Sequence, residues 1–325
     1  MLDLGSGAGK ICFVASQIVG PTGRVIGVDV NDAMLALARD AAPIVARRVG
    51  FGNVEFRRGR IQDLALDLDA LEPWLREHPV RGVEDVAALD AECDRLRRVA
   101  PLVPDASVDV LVSNCVLNLV READKGQLVR EIARVLKPGG RIAISDIVGD
   151  EPVPEQLKAD PTLWSGCVSG AFTEQGLLAA LEEAGFFGIA LAHWERRPFA
   201  IVEGIEFRSV TVTAVKGVKG PCWEANRAVI YRGPWKRVED DDGHVLRRGE
   251  RTAVCAKTYA TLTSAPYASE TIAVAPRVEI PEAERRPFDC SRVAARHPRE
   301  SKGADFAETS APTGPAACSP GGSCC

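Results

Sequence analysis

The fold of this chain can be inferred from the stretch LDLGSGAGK, residues 2–10, in which glycine occupies positions 5, 7 and 9. The short apolar run before the first glycine predicts a buried strand, and the residues from Lys10 to Val19 predict a helix. Glycine lets the turn tighten and lets a ligand approach backbone N–H groups that favour an anion. A dinucleotide-binding turn would need its last glycine at the position of Lys10 rather than at Gly9. The turn therefore indicates a site for a smaller cofactor than a nicotinamide dinucleotide.

Strand-like and helix-like segments alternate after this turn. The strands are predicted over residues 24–30, 53–57, 108–113 and 141–147, and the helices over 10–19, 31–45, 125–136 and 174–184. Repeated strand–helix units predict an α/β fold with a mostly parallel sheet that is covered on both faces.

The same pass along the sequence predicts three regions. Residues 1–206 form the α/β domain, interrupted at 67–105 by a helical insertion that is either a lid over the site or a surface elaboration. Residues 207–275, with short β-rich stretches and turns, predict a small C-terminal β-rich domain. Residues 276–325 are rich in Pro, Ala, Ser, Arg and Glu, which predicts a mostly flexible tail.

Composition excludes several classes of protein. The sequence of 325 residues is 46% hydrophobic and 26% charged, which is ordinary for a globular protein. Its net charge of −5 offers no basic surface for nucleic acid or anionic lipid. No apolar run approaches the roughly 20 residues that span a bilayer, and no secretory signal is visible, so the cytoplasm is the expected location.

The ten cysteines are expected to be thiols in such a compartment. They form no CxxC pair, and none of the four histidines stands at ligand spacing. This pattern argues against a structural zinc site.

Several side chains around the turn are candidate cofactor ligands. Asp29 ends the second strand, where a carboxylate can accept from both hydroxyls of a ribose, and Asp3 could meet a cationic amine. Ile61, within GRIQDL after the third strand, could flank a purine. Each residue alone is more often a cap or a core residue, but together with VLKPGGRIAISD they resemble the seven-stranded, Rossmann-like S-adenosylmethionine-dependent methyltransferases.

Two cysteines are expected where a substrate should lie. Cys115, in SNCVLNLV, follows the fourth strand, and Cys167, in DPTLWSGCVSGAF, follows the fifth, so both belong to the carboxyl edge of the sheet. A free cysteine is often only a small buried hydrophobe, but two of them at the cofactor edge favour a soft ligand.

With these motifs and with GPCWEANRAVIYRG further on, the sequence resembles the arsenite methyltransferases over roughly residues 1–270. The resemblance implies that Cys115 and Cys167 hold trivalent arsenic beside S-adenosylmethionine. It also implies a cofactor site that is lined by the turn glycines Gly5 and Gly7 and by the side chains of Asp3, Asp29, Ile61, Gln62 and Asn114. Glutathione or another thiol is the implied co-substrate, and thioredoxin or glutathione the implied reductant.

The sequence departs from that family in three places. Relatives usually carry two further cysteines ahead of the glycine turn, so we expect the sequence to be truncated at its N-terminus. Leu117 stands where many relatives have another cysteine, which leaves glutathione or water as the third arsenic ligand. The insertion at 67–105 is longer than the family would suggest.

The last two residues, Cys324 and Cys325, have two interpretations. Adjacent thiols on a flexible arm can chelate a soft ion, which suggests that they capture arsenite and pass it inward. The alternative is a disordered tail with incidental cysteines.

Two other functions remain open at this point. A quinone- or sterol-type C-methyltransferase would share LDLGSG and LKPGG and would leave Cys115 and Cys167 as packing residues. A non-catalytic, thiol-based arsenic-binding protein would bind arsenite without turnover.

Overall fold

The computed structural model describes residues 1–217, 220–290 and 295–310. The chain divides into two compact units, Met1–Lys219 and Gly220–Cys325.

The first unit alternates strands and helices as the sequence predicts. Its strands are β1 (Leu2–Leu4), β2 (Val25–Asp29), β3 (Val54–Arg58), β4 (Val108–Asn114), β5 (Leu136–Gly149), β6 (Phe172–Thr173), β7 (Phe186–Trp194), β8 (Ala200–Val202) and β9 (Ile205–Lys216). Its helices are α1 (Lys10–Val19), α2 (Asp32–Val49), α3 (Leu68–Glu77), α4 (Val83–Val99), α5 (Glu122–Val135), α6 (Glu155–Lys158), α7 (Pro161–Ser165) and α8 (Glu174–Glu183), with a short 3-10 turn at Leu117–Leu119.

One sheet carries the whole unit, in the order β3-β2-β1-β4-β5-β9-β7. Strands β1 to β5 are parallel, whereas β9 is antiparallel to both β5 and β7. The short strand β6 pairs in parallel with the end of β5, and the short strand β8 pairs with β9. The predicted Rossmann-like, mostly parallel seven-stranded sheet is confirmed by this path of seven strands.

Local sequence explains the helix boundaries nearest the predicted site. Helix α1 starts directly after Gly9, whose φ of 84° lies in the left-handed region. Asn31 is the N-cap of helix α2, and its side chain accepts hydrogen bonds from the backbone N–H groups of Ala33 and Met34. These two helix starts follow β1 and β2 and place both loops at the carboxyl edge of the sheet.

The hydrophobic core is centred on the inner strands. Leu2 and Leu4 on β1, Leu111 on β4 and Ile144 on β5 are fully buried. Strands covered on both faces require such apolar residues, and they hold the carboxyl edge in a fixed position.

The segment predicted as a helical insertion contains α3 and α4. Their facing side chains form a small separate cluster that includes Leu71, Cys93 and Leu96. An ion pair between Arg97 and Asp63, 2.9 Å apart, ties α4 to the loop after β3. The insertion is therefore attached to the same loop that carries Ile61 and Gln62.

The predicted domain boundary after residue 206 differs from the structure. Residue 207 lies inside β9, which pairs with β5 from Phe207 to Val215 and so belongs to the main sheet. The contacts divide the chain after Lys219 instead. Strand β9 was assigned to the second domain because a β-rich run does not reveal which sheet it joins.

The second unit is small and rich in short strands. Its strands are β10 (Trp223–Glu224), β11 (Ala228–Tyr231), β12 (Arg237–Glu239), β13 (Val245–Arg247), β14 (Arg251–Ala253), β15 (Thr271–Val274) and β16 (Arg286–Pro287), and its helices are α9 (Ala256–Leu262) and α10 (Pro298–Lys302), with 3-10 turns at Tyr267–Ser269 and Glu282–Glu284. Strands β14, β11 and β15 form one antiparallel sheet over a core of Val229, Tyr231, Leu246, Val254 and Leu262.

The predicted flexible tail from residue 276 also differs from the structure in its described part. Strand β16 pairs with β10, and Arg296, which is 5% exposed, forms an ion pair of 2.9 Å with Glu224. The low-complexity composition of this segment gave no indication of this strand pairing or of this ion pair. None of the helices in the described ranges is long and apolar enough to cross a membrane.

Candidate functional site

The glycine turn after β1 lies against the end of β2. Gly5, Gly7 and Gly9 have φ values of 68°, 51° and 84°, a region that disfavours side chains. The N–H groups of Gly5 and Ser6 both donate to the carbonyl oxygen of Val28, at 2.8 and 3.1 Å. The Gly9 N–H donates to the carbonyl oxygen of Ser6 at 2.9 Å, so backbone hydrogen bonds fix the conformation of the turn.

Asp29 closes this turn from the neighbouring strand. Its Oδ2 accepts from the Gly7 N–H and its Oδ1 from the Asn31 N–H, each at 2.8 Å. The side chain is only half-buried, and each carboxylate oxygen can accept more than one hydrogen bond. Asp29 therefore can hold the turn and still accept from two hydroxyl groups of a ligand.

Asp3 lies beneath the turn with an incompletely satisfied carboxyl group. It is 1% exposed; its Oδ2 accepts from the Cys12 thiol at 3.3 Å, and its Oδ1 has no hydrogen-bond partner within the described chain. Burial raises the pKa of Asp3 to about 6, the Cys12 hydrogen bond partly offsets this, and the Asp29 charge adds to it. An orphaned buried acceptor of this kind fits a cationic group supplied by a ligand.

The other predicted cofactor residues follow β3 and β4 at the same sheet edge. Ile61 packs on the main core and Gln62 is half-buried, both in the loop after β3. Asn114 is exposed at the last position of β4. The strand order brings these residues to the same edge of the sheet. That they contact a ligand remains a prediction.

Cys115 and Cys167 share an uncommon backbone conformation. Their φ values are 55° and 62°, and they are two of the five non-glycine residues with positive φ in the described ranges. Such a conformation costs on the order of 1–3 kcal/mol per residue and often occurs at functional sites. The strain at both cysteines is an independent sign that their positions serve more than packing.

The two cysteine loops meet directly. The Cys167 thiol donates to the carbonyl oxygen of Cys115 across 3.3 Å, although 51 residues lie between them in the chain. Cys115 is exposed and Cys167 half-buried, so both can be reached from the rim. A methyl carbon of Val116 would lie less than 3.0 Å from a Cβ at Gly5, which places the Cys115 loop against the glycine turn.

The thiols lie in the field of a buried carboxyl group. Burial raises the pKa of Cys167 to about 11, and the charges of Asp146 and Cys115 add to this. Burial, followed by the Asp146 charge, also raises the pKa of Cys115. Both groups are therefore thiols at neutral pH in the free protein, and they must lose their protons when they bind a soft cation.

Asp146 itself organises the Cys115 loop. It is 2% exposed, and its Oδ2 accepts from the Leu117 N–H at 2.9 Å. Burial raises its pKa to about 6, while backbone hydrogen bonds, led by that of Ile147, oppose the increase. In the sequence Asp146 is the last residue of the motif VLKPGGRIAISD, and a carboxyl group within an apolar strand was the signal that could have indicated its role.

Asn118 links the two cysteine loops and was also missed. It is fully buried, and its Nδ2 donates to the carbonyl oxygens of Ile147 at 2.7 Å and Cys167 at 3.0 Å. A Cβ at Gly170 would overlap the carbonyl oxygen of Asn118 at far less than 3.0 Å. The two loops are therefore in close backbone contact next to Cys167.

A second group of thiols lies in the C-terminal unit. The sulfur atoms of Cys222, Cys255 and Cys290 all lie within 4.8 Å of one another. The spacing of the cysteines in the sequence does not indicate this cluster, because folding brings together cysteines that are far apart in the sequence. Cys324 and Cys325, the predicted soft-ion pair, lie outside the described residues.

Comparisons with known proteins match both units. Residues 1–78 and 81–185 match a family model described as a methyltransferase domain, and residues 218–306 match a domain family of unknown function. The arsenite methyltransferase of Aquipseudomonas alcaligenes is 32% identical over 282 residues, which cover 82% of this chain and 70% of that protein. The arsenite methyltransferase of Halobacterium salinarum is 40% identical over 192 residues, 59% of this chain and 38% of that protein.

Among solved structures, the fold is similar to an arsenic(III) S-adenosylmethionine methyltransferase from Chlamydomonas reinhardtii. The TM-score is 0.55 at 24% sequence identity, over 89% of this chain and 88% of the other. At 24% identity, this similarity shows a shared fold and no more.

Proposed function

The chain belongs to the arsenite methyltransferase family, and we propose that it transfers a methyl group from S-adenosylmethionine to trivalent arsenic held by Cys115 and Cys167. The observation that carries this proposal is the 3.3 Å contact between the Cys167 thiol and the Cys115 carbonyl oxygen, since the Cys115 loop in turn adjoins the glycine turn. Both cysteines follow strands at the carboxyl edge of the sheet, where open α/β folds bind ligands, and this supports a soft acceptor site there.

The residues of the turn fit S-adenosylmethionine. The free Oδ1 of Asp3 suits the amino group, and the Asp29 carboxylate at the end of β2 suits the ribose hydroxyls. We propose that Ile61, Gln62 and Asn114 line the rest of this site. When bound, S-adenosylmethionine supplies a methyl group that is already activated on a sulfonium sulfur. No general base is therefore required of the protein.

The cysteines act in this proposal as ligands and not as nucleophiles toward carbon. Each thiol proton leaves with an arsenic-bound hydroxide as water while an As–S bond forms, and arsenic keeps its oxidation state and its lone pair. The raised pKa values of Cys115 and Cys167 suit this exchange, because it consumes thiols. The protein then supplies alignment of the arsenic lone pair and exclusion of water.

Small thiols complete the proposed chemistry. Leu117 offers no sulfur, so glutathione or another thiol would fill the third position on arsenic. Donation of the arsenic lone pair to a methyl group leaves pentavalent arsenic, and two electrons from glutathione or thioredoxin would restore the trivalent state. We place the reaction in the cytoplasm, since the ligands must stay reduced.

The test uses purified protein with arsenite, glutathione and S-adenosylmethionine, followed by separation of the arsenicals. We expect methylated arsenic and an equivalent amount of S-adenosylhomocysteine. Arsenite binding without S-adenosylhomocysteine would contradict the proposal in favour of a non-catalytic arsenic-binding protein. Turnover of a quinol or sterol acceptor, with none of arsenite, would contradict it in favour of a C-methyltransferase.

The pKa of Asp3 gives a pH prediction for cofactor binding. The ionised carboxylate attracts the amino group, so affinity should fall as pH drops through about 6 and Asp3 takes up a proton. At pH 5 the affinity should be about tenfold lower than at pH 7.5, measured by calorimetry.

The pKa of Asp146 is also raised to about 6, so the control must show which of the two carboxyl groups causes the pH dependence of cofactor binding. Asp3→Asn should bind weakly and lose the pH dependence, whereas Asp40→Asn, on the exposed face of α2, should keep it. An unchanged pH profile in Asp3→Asn would assign the effect to another group.

A further inference from the structure

Three cysteines from separate segments meet inside the C-terminal unit. Cys222 precedes β10, Cys255 is the N-cap of α9, and Cys290 follows β16. Their sulfur atoms lie within 4.8 Å of one another. The pairing of β10 with β16 and the hydrogen bond from the Phe288 N–H to the Cys222 carbonyl oxygen, at 2.8 Å, bring the first and last of them together.

Hydrogen bonds hold the sulfur of Cys255 in position. Cys255 is fully buried, and its sulfur accepts from the Thr258 N–H at 3.3 Å and lies 3.2 Å from the Thr258 hydroxyl. A buried sulfur fixed in this way beside two further sulfurs has the donor set of a soft metal site.

A buried histidine supplies a second, independent observation. His244 is 3% exposed, and its Nδ1 lies 2.9 Å from Oδ2 of Asp240. Its Nε2 has no hydrogen-bond partner within the described residues. Leu246, two residues after His244, and Val254, next to Cys255, belong to one buried cluster, so the imidazole lies in the same part of the unit. A metal-binding histidine usually donates a hydrogen bond from one ring nitrogen to a carboxylate and binds the metal through the other nitrogen.

We propose that Cys222, Cys255 and Cys290 bind a zinc ion as thiolates and that His244 provides the fourth ligand. The thiols still protonated release their protons to water as the metal–sulfur bonds form. A Zn–S bond of about 2.3 Å requires sulfur atoms about 3.8 Å apart in a tetrahedron, so the cluster needs only a small contraction. Nε2 of His244 is not among the ligand atoms that lie within 4.8 Å of one another, so the proposal requires this side chain to move toward the sulfurs as zinc binds.

Zinc explains this cluster better than a disulfide or trivalent arsenic does. A disulfide would use two of the three sulfurs and leave a third thiol beside it. Arsenic would take the three thiolates but no fourth ligand, which would leave the buried Nε2 of His244 unsatisfied. A zinc ion would also join three distant segments of a unit whose apolar core is small, which is the usual role of a structural zinc site.

The experiment measures metal content and does not depend on methyl transfer. We expect the purified full-length chain to contain one zinc ion, measured by plasma mass spectrometry, and Cys255→Ser and Cys290→Ser to lose it. Cys93→Ser is the matched control and should keep the metal, because Cys93 is a buried thiol of α4 in the first unit. Asp240→Asn should weaken zinc binding about 10- to 100-fold.

A second measurement avoids variants that fail to fold. Cobalt(II) added to the metal-free wild-type chain should give thiolate-to-cobalt charge-transfer bands and tetrahedral d–d bands. Three free thiols with neither zinc nor a cobalt spectrum would overturn the proposal. So would a disulfide within the cluster, or a preference for arsenite with three As–S bonds over zinc.

Discussion

Replacing Cys167 by serine should lower kcat/KM for arsenite by about 100-fold or more, while the affinity for S-adenosylmethionine stays unchanged. Serine keeps the size and the hydrogen bond to the Cys115 carbonyl oxygen but is a hard donor that holds trivalent arsenic poorly. Cys115→Ser should show the same loss. The measurement is the initial rate of methylarsenic formation, with calorimetry for the methyl donor.

The two cysteines should act as a unit. Once either sulfur is gone the arsenic is no longer aligned, so the double variant should lose little more than a single one. Cys93→Ser again serves as the control, since Cys93 packs between α3 and α4. A serine variant at position 115 or 167 that retained wild-type turnover of arsenite would contradict the proposed ligand role.

The glycine turn and the parallel sheet could be predicted because each depends on local sequence. Positive φ at Gly5, Gly7 and Gly9 selects glycine directly, and the side chain of Asn31 caps α2 by contacts within three residues. Helix α1 was predicted with its observed bounds for the same reason. The carboxyl edge then follows from topology alone, since parallel strands end on one side.

Features that depend on distant pairing could not be predicted. Strand β9 has the residue pattern of any β-strand, and only its pairing with β5 and β7 assigns it to the main sheet. Cys222, Cys255 and Cys290 carry no ligand spacing, because three separate segments bring them together. Asn118 looks like a polar residue in a short turn, and its hydrogen bond to Cys167 appears only once both loops are folded.

The second variant with a large expected effect is Gly170→Ala. A Cβ at position 170 would overlap the backbone carbonyl of Asn118. This overlap can be relieved only if the loop that carries Cys115 or the loop that carries Cys167 moves. Overpacking of this kind typically costs about 1–3 kcal/mol, and the displaced sulfur should lower kcat/KM for arsenite by about 100-fold. Binding of S-adenosylmethionine should be retained, because the glycine turn is held by β2.

Gly166→Ala is the matched control in the same loop. Its Cβ would meet the carbonyl oxygens of Thr162 and Leu163 at 3.5 and 3.6 Å, which are ordinary contacts, and its φ of −84° suits alanine. We therefore expect near-normal turnover in Gly166→Ala and loss in Gly170→Ala, with both proteins folded by circular dichroism. Equal activity in the two variants would mean that the contact between the loops does not position Cys167, because the alanine at 170 would then have been accommodated without displacing the sulfur.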